Sequence, residues 1–185
     1  MNTAIIVVGA ESTGTTFTHK IFLSQGLCGN EFDPQGNIQD LIHNRNLPSE
    51  DVCMRFSLPH DGHYPNLRFF INELRNRNFT VKVVVCVRDL HCIVSSHVNE
   101  MKHARSKKEA LGKVRLAYEL IFSSLSAMET EYIVMPYEAH ALCYPSTVNR
   151  MFAYLGLDRS IDHGALPEFE NGNEKWYGRP DSETP

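Results

Sequence analysis

Apolar residues along the chain fall into two patterns, short runs rich in Ile and Val and longer stretches at helical spacing. Thr3–Val8 is an apolar run that stops at Gly9, the length of a strand rather than a helix. A turn rich in Gly, Ser and Thr follows, and Phe17-Thr-His-Lys-Ile-Phe-Leu predicts a helix ending near Gly26. Gly29–Glu50 is dense in Asn, Pro and Gly and reads as loop, with a short second strand predicted over Asp51–Phe56. From Tyr64 to Leu74, the spacing of Leu67, Phe70, Ile71 and Leu74 predicts a helix behind the start set by Pro65. Val81–Val87 is almost continuously apolar, as a central parallel strand covered on both faces must be. Helices are predicted over Leu90–Met101 and over Lys107–Met128, the latter with Leu111, Val114, Tyr118, Ile121, Phe122 and Leu125 as its apolar stripe. Tyr132–Met135 reads as another strand, and Pro145–Leu155 as a last amphipathic helix closed by Gly156. Beyond Leu157 the chain is polar, with Trp176 and Tyr177 as its docking points. Strands alternating with helices predict an α/β fold: three layers, α/β/α, around a central parallel sheet.

With 185 residues, 42% of them hydrophobic and 22% charged, the expectation is one domain over residues 1–185, with 158–185 a polar tail packed on it. Eighteen basic residues against 22 acidic ones give a net charge of -4. That argues against a general nucleic-acid or anionic-membrane surface and leaves room for a local basic site. No apolar run approaches the roughly 20 residues that span a bilayer. The first residues lack the basic segment and long apolar stretch of a signal peptide. The five cysteines, Cys28, Cys53, Cys86, Cys92 and Cys143, are odd in number and never spaced Cys-x-x-Cys. This pattern disfavours a disulfide framework or structural zinc, and the expected compartment is the reducing cytoplasm.

Gly9-Ala-Glu-Ser-Thr-Gly-Thr-Thr16 sits between the first strand and the first helix, where backbone N–H groups and a helix N-terminus converge on an anion. Against G-x-x-x-x-G-K-[ST], Gly9 and Gly14 are in register but Thr15 takes the lysine position. The architecture is P-loop-like, without the cation that holds nucleotide β- and γ-phosphates. A ligand-free turn is the simpler alternative, but the polar run of Ser12, Thr13, Thr15 and Thr16 exceeds what a turn requires. Arg88 follows the best strand, where open α/β sheets bind ligands, and Ser96 lies eight residues later in the next helix. An arginine fork and a hydroxyl suit a second phosphate; an Arg88–Asp89 ion pair is the structural alternative. Of the neighbouring Ser95 and Ser96 only one can face the ligand, and the spacing favours Ser96.

These elements resemble the sulfotransferase family. Ser12-Thr-Gly-Thr-Thr-Phe17 is similar to its 5′-phosphosulfate loop, Lys-Ser-Gly-Thr-Thr-Trp, with Thr13, Gly14, Thr15, Thr16 and Phe17 matching and Ser12 in place of the lysine. Val83–His97 resembles the strand–Arg–helix–Ser element that clasps the 3′-phosphate of 3′-phosphoadenosine 5′-phosphosulfate (PAPS), with Leu90 where a proline is frequent. Met135–Leu142, Pro145 and Val148–Leu157 are similar to a third unit, in which Tyr137 would lie near the adenine ring and Glu138 would be structural. The likeness runs in patches from about Ile5 to Leu157. The family's C-terminal Arg-Lys-Gly element is not recognisable, and Lys175, Trp176 and Arg179 are the residues available to replace it. The resemblance implies a short, divergent sulfotransferase. Such an enzyme transfers a sulfuryl group from PAPS to a hydroxyl or amine of a small-molecule or glycan acceptor, with no metal.

Such transfer needs a base for the acceptor's proton and cations around the moving group. Aligning Leu58-Pro59 with the family's Lys-Thr-His-Leu-Pro puts Ser57 at the histidine and Arg55 at the lysine. Serine is a poor base at neutral pH, whereas an imidazole titrating near 6.5 suits the task. His60 is therefore the expected base, with His63 and Glu11 as alternatives, and Arg55 supplies the charge missing at Ser12. His60-x-x-His63 lacks a third ligand for zinc. The basic run Lys102–Lys108 reads as a solvated helix junction, with contact to an acidic acceptor or the cofactor as its alternative. A nucleotide-binding module without activity and a P-loop nucleotide or nucleoside kinase remain as alternative functions.

Overall fold

The computed structural model describes residues 2–27, 51–59, 63–157 and 160–177. Within them a three-layer α/β/α architecture surrounds a four-stranded parallel sheet of order β2-β1-β3-β4, a P-loop-like fold. The strands are β1 (Thr3–Ala10), β2 (Val52–Leu58), β3 (Thr80–Val87) and β4 (Tyr132–Pro136). The helices are α1 (Thr15–Ser24), α2 (Leu67–Asn76), α3 (Leu90–Ser95), α4 (Lys107–Ala127) and α5 (Tyr137–Tyr154). β1 and β3 are interior strands, and their side chains alternate between two cores. Ile6, Val8, Val83 and Val85 meet α2 and α4 on one face. Ile5, Val7, Val84 and Cys86 meet α1 and α5 on the other. Coverage on both faces is why these strands read as unbroken apolar runs.

Three predicted elements differ in detail. The buried face of α4 is Ala110, Val114, Ala117, Ile121, Ser124 and Leu125, while Leu111 and Phe122 are exposed. Small residues let this helix lie close to the sheet, so an apolar stripe counted on large side chains rotates it too far. The last helix begins at Tyr137 rather than Pro145, and it is broken at Cys143 (φ -145°, ψ 46°) where Pro145 cannot donate to the preceding turn. The Thr147 hydroxyl donates to the Ala139 carbonyl across that break at 2.9 Å. The helix predicted over Leu90–Met101 stops at Ser95 and continues as a π turn, Ser96–Glu100, with the Met101 amide donating to the Ser96 carbonyl at 3.0 Å.

The described part of the tail packs against α1 and α5. Asp162 exchanges hydrogen bonds with the Gln25 side chain, the Tyr144 hydroxyl donates to the Pro167 carbonyl, and Trp176 is buried while Tyr177 is half exposed. Phe169 closes an aromatic cluster with Phe17, Tyr137, His140 and Tyr144. Four cysteines fall among the described residues, Cys53, Cys86, Cys92 and Cys143, and all are free. Among those residues no helix is long and apolar enough to cross a membrane.

His140 is buried in the aromatic cluster with neither ring nitrogen hydrogen-bonded, and burial pushes its pKa from 6.5 down to about 4. The unfolded chain therefore takes up this proton first, and stability falls as pH drops below about 6.5, with the loss complete near 4. The full effect is roughly 3 kcal/mol. His140→Leu is expected to flatten this acid limb in melting curves recorded between neutral pH and about 4.5. His97, also pushed down by burial, preserves part of the slope. Equal slopes in the two proteins would contradict the assignment.

Candidate functional site

The loop from β1 to α1 is held at fixed points by the strand ends around it. The Glu11 amide donates to the Leu58 carbonyl at 3.1 Å, and the Thr13 hydroxyl donates to the Ala10 carbonyl at 2.7 Å. Gly9 has no room for a side chain, since a Cβ there would lie 2.7 Å from the Cys86 carbonyl oxygen. Ser12 adopts a left-handed backbone (φ 67°), a costly conformation outside glycine. It is stabilised by Arg88, whose Nη1 donates to the Ser12 carbonyl at 2.9 Å. Gly14 is the N-cap of α1 at φ 86°, and no side chain caps the helix. The first-turn amides of α1 are thus left for a ligand.

A cavity of about 330 Å³ opens at this helix end. Glu11, Ser12, Gly14, Thr15 and Thr16 line it from the loop, Arg55 and Ser57 from β2, and Met101 and His103 from the segment after the π turn. The Arg55 Nη1 donates to the Ser57 hydroxyl at 3.2 Å, which in turn lies 3.2 Å from the Thr15 hydroxyl. The Arg55 Nε is buried without a hydrogen-bond partner, and desolvation lowers the pKa of this guanidinium from its ordinary value. A half-buried cation with an unmet donor beside a free helix N-terminus is an arrangement suited to an anion.

Arg88 forms the second half of the site. Its Nε donates to the Asn173 side-chain oxygen, and its guanidinium carbon lies 4.5 Å from the centre of the Tyr137 ring. Its Nη2 is buried and has no hydrogen-bond partner. Tyr137 packs against Gly14, where a Cβ would come within 2.5 Å of the ring. Its hydroxyl donates to the Glu170 carbonyl and accepts from the Gly172 amide, both at 2.9 Å. Glu138 accepts from the Asp89 amide and from the Asn173 side chain. Asp89 does not form the alternative ion pair with Arg88; its carboxylate accepts from the Cys92 amide and caps α3. Ser96, and not Ser95, reaches the loop, its hydroxyl 3.0 Å from that of Ser12.

The structure thus brings together Ser12, Thr13, Gly14, Thr15, Thr16, Arg55, Arg88, Ser96 and Tyr137. Phe17 lies just behind them, 5.0 Å from Phe169 between ring centres. His60 lies outside the described residues, and so does Arg179. His63 is exposed and does not line the cavity. Lys175 pairs with Glu100 and stacks near Trp176 rather than joining Arg88. Two groups unforeseen in the sequence complete the site. Asn173 holds Arg88 from the tail, and His103, from the basic run assigned to a solvated junction, places its Nδ1 2.8 Å from the Glu11 carboxylate. Glu11 is 5% exposed. The contact closes a gap of 92 residues, and no local pattern announces it. Among the described residues, no group of three or more His, Cys, Asp or Glu side chains is placed to hold a metal ion.

Gly14→Ala tests the packing at the centre of the site. The left-handed backbone costs about 1–2 kcal/mol for an L-residue, and the added methyl meets the Tyr137 ring. The variant is expected to lose roughly 2–4 kcal/mol in denaturant melts. A loss below about 0.5 kcal/mol would show that Tyr137 does not rest on the loop.

No protein-family model matches the sequence, and no curated protein does. Solved structures do share the fold. The sulfotransferase domain of the Synechococcus PCC 7002 olefin synthase superposes with a TM-score of 0.60 at 14% identity, over 93% of this chain and 78% of that one. The sulfotransferase domain from the curacin biosynthetic pathway gives 0.57 at 9% identity, over 96% and 87%. Mouse sulfotransferase SULT7A1, complexed with PAP, gives 0.50 at 10% identity, over 89% of this chain and 61% of that one. The likeness is one of fold: this chain shares the α/β/α fold of these sulfotransferase domains at 9–14% identity.

Proposed function

We propose that this protein is a PAPS-dependent sulfotransferase acting on a hydroxyl or amine of a small-molecule or glycan acceptor. The observation that carries this reading is the pair of unmet guanidinium donors, Arg55 Nε and Arg88 Nη2, at two places along one glycine loop. A donor nucleotide with phosphates on both its 5′ and 3′ positions has an anion for each. The free N-terminus of α1, with Gly14, Thr15, Thr16 and Arg55, would hold the 5′ end. Arg88 and Ser96 would hold the 3′-phosphate, Tyr137 and Phe17 would flank the base, and Thr13 braces the loop from beneath. The donor supplies an activated sulfuryl group. Arg55 and the α1 amides stabilise negative charge on it during transfer, with Arg55 in the role left open by Ser12.

The fold alone does not require turnover, and the absence of a lysine at Ser12 and of an imidazole at Ser57 favours a second reading, a module that binds the nucleotide without reacting it. Two measurements separate these readings. Adenosine 3′,5′-bisphosphate is expected to raise the melting temperature selectively, by an amount equivalent to about 2.7 kcal/mol at a hundredfold excess over Kd. Arg88→Ala should abolish the shift and Ser96→Ala should weaken it. A stronger response to ATP with magnesium, or none to the bisphosphate, would sink both readings. Transfer of labelled sulfate from PAPS to a panel of alcohols and amines then marks the enzyme, and binding without transfer marks the inert module.

A further inference from the structure

The cavity holds one more titratable pair, and its geometry resembles an oriented acid–base unit rather than a surface ion pair. Glu11 is buried, and one of its carboxylate oxygens receives the His103 Nδ1 at 2.8 Å. The carboxylate accepts, so Nδ1 carries the proton and the neutral ring has its lone pair on Nε2. Among the described residues, no hydrogen bond engages Nε2. The His103 side chain is 34% exposed and lines the same cavity as Thr15, Thr16 and Arg55.

His103 is also held from behind. Its amide donates to the His97 carbonyl at 3.0 Å, and its own carbonyl accepts from Lys113 Nζ. His97 is fully buried, and its Nε2 donates to the Glu11 carbonyl at 3.1 Å. One residue of the π turn therefore fixes both partners, Glu11 through its side chain and His103 through its backbone. His97 lies within the π turn, Ser96–Glu100.

We propose that His103, oriented by Glu11, is the general base that takes the acceptor's proton. This rests on the sulfotransferase reading above. The acceptor oxygen or nitrogen bonds to the sulfur, its proton passes to His103 Nε2, the bond from sulfur to the bridging phosphate oxygen breaks, and that electron pair leaves on the 5′-phosphate of the bisphosphate product. The histidine then returns its proton to solvent through its exposed edge. Glu11 and His97 are positioning residues: Glu11 sets the tautomer and stabilises the imidazolium, and His97 sets the distance between the two.

Charged and titratable groups surround the pair: His97 on the π turn, Lys113 on α4 with Glu109 paired to it, Arg55 on β2, and Tyr64 ahead of α2 near Glu11 and Lys113.

The test uses the full chain, with bisphosphate binding and labelled-sulfate transfer measured side by side. His103→Asn is expected to lower kcat by about a hundredfold or more while the bisphosphate melting shift stays that of the wild type. Added imidazole should restore part of the rate in His103→Ala. Glu11→Gln should retain binding and lower kcat by a smaller factor. Ring-nitrogen NMR of the histidines should show His103 protonated at Nδ1 in the wild type and a loss of that preference in Glu11→Gln. Wild-type turnover that persists in His103→Asn would overturn the base assignment and leave the sulfotransferase reading intact. Failure of the wild type to bind the bisphosphate would overturn that reading itself. Binding without transfer to any acceptor would overturn the base together with the enzyme.

Discussion

The site depends on one guanidinium. Arg88 leaves the carboxyl end of the interior strand β3, donates to the carbonyl of a left-handed Ser12, lies against the ring of Tyr137 and is gripped by Asn173 of the tail. These contacts tie β3, the glycine loop, the first turn of α5 and the C-terminal segment to a single side chain. They also use only two of its three nitrogens. The third, Nη2, is buried with its donors unmet. Such a group is costly in a resting protein and useful in one that receives an anion there. Stability and binding therefore compete for the same residue, as expected where strain and unmet polarity are concentrated at a functional site.

The charge balance follows from this arrangement. A chain of net charge -4 cannot attract an anionic nucleotide through its overall field. What it offers an anion is local: two partly buried arginines and a helix end, where a low local dielectric makes each donor count for more. Glu11 lies in the middle of this cationic surface, and its carboxylate receives the His103 imidazole.

Much of the fold was legible in the sequence because it is local. Val81–Val87 announces an interior strand by being apolar on both faces, and Gly9, Gly14, Arg88 and Ser96 announce where the loop, the strand end and the next helix meet, because strand ends and tight turns place them. The misreadings have physical causes. The buried face of α4 is built on Ala110, Ala117 and Ser124, whose small size gives no hydrophobic signal. The start of α5 at Tyr137 is hidden because Pro136 and Pro145 bracket its first turns. The π turn at Ser96–Glu100 has no pattern of its own, yet it sets where His97 and His103 fall. Asn173 and His103 reach the site across 85 and 92 residues, and only tertiary packing creates those contacts.

The central claim is that one loop, with Arg55 on one side and Arg88 on the other, accommodates a nucleotide phosphorylated at both ends. A crystal structure of the full chain with adenosine 3′,5′-bisphosphate tests it most directly. The account predicts the 5′-phosphate on the amides of Gly14–Thr16 beside Arg55, and the 3′-phosphate on Arg88 Nη2 and the Ser96 hydroxyl. A bisphosphate bound elsewhere, or one that leaves Arg88 Nη2 buried and without a partner, would contradict it.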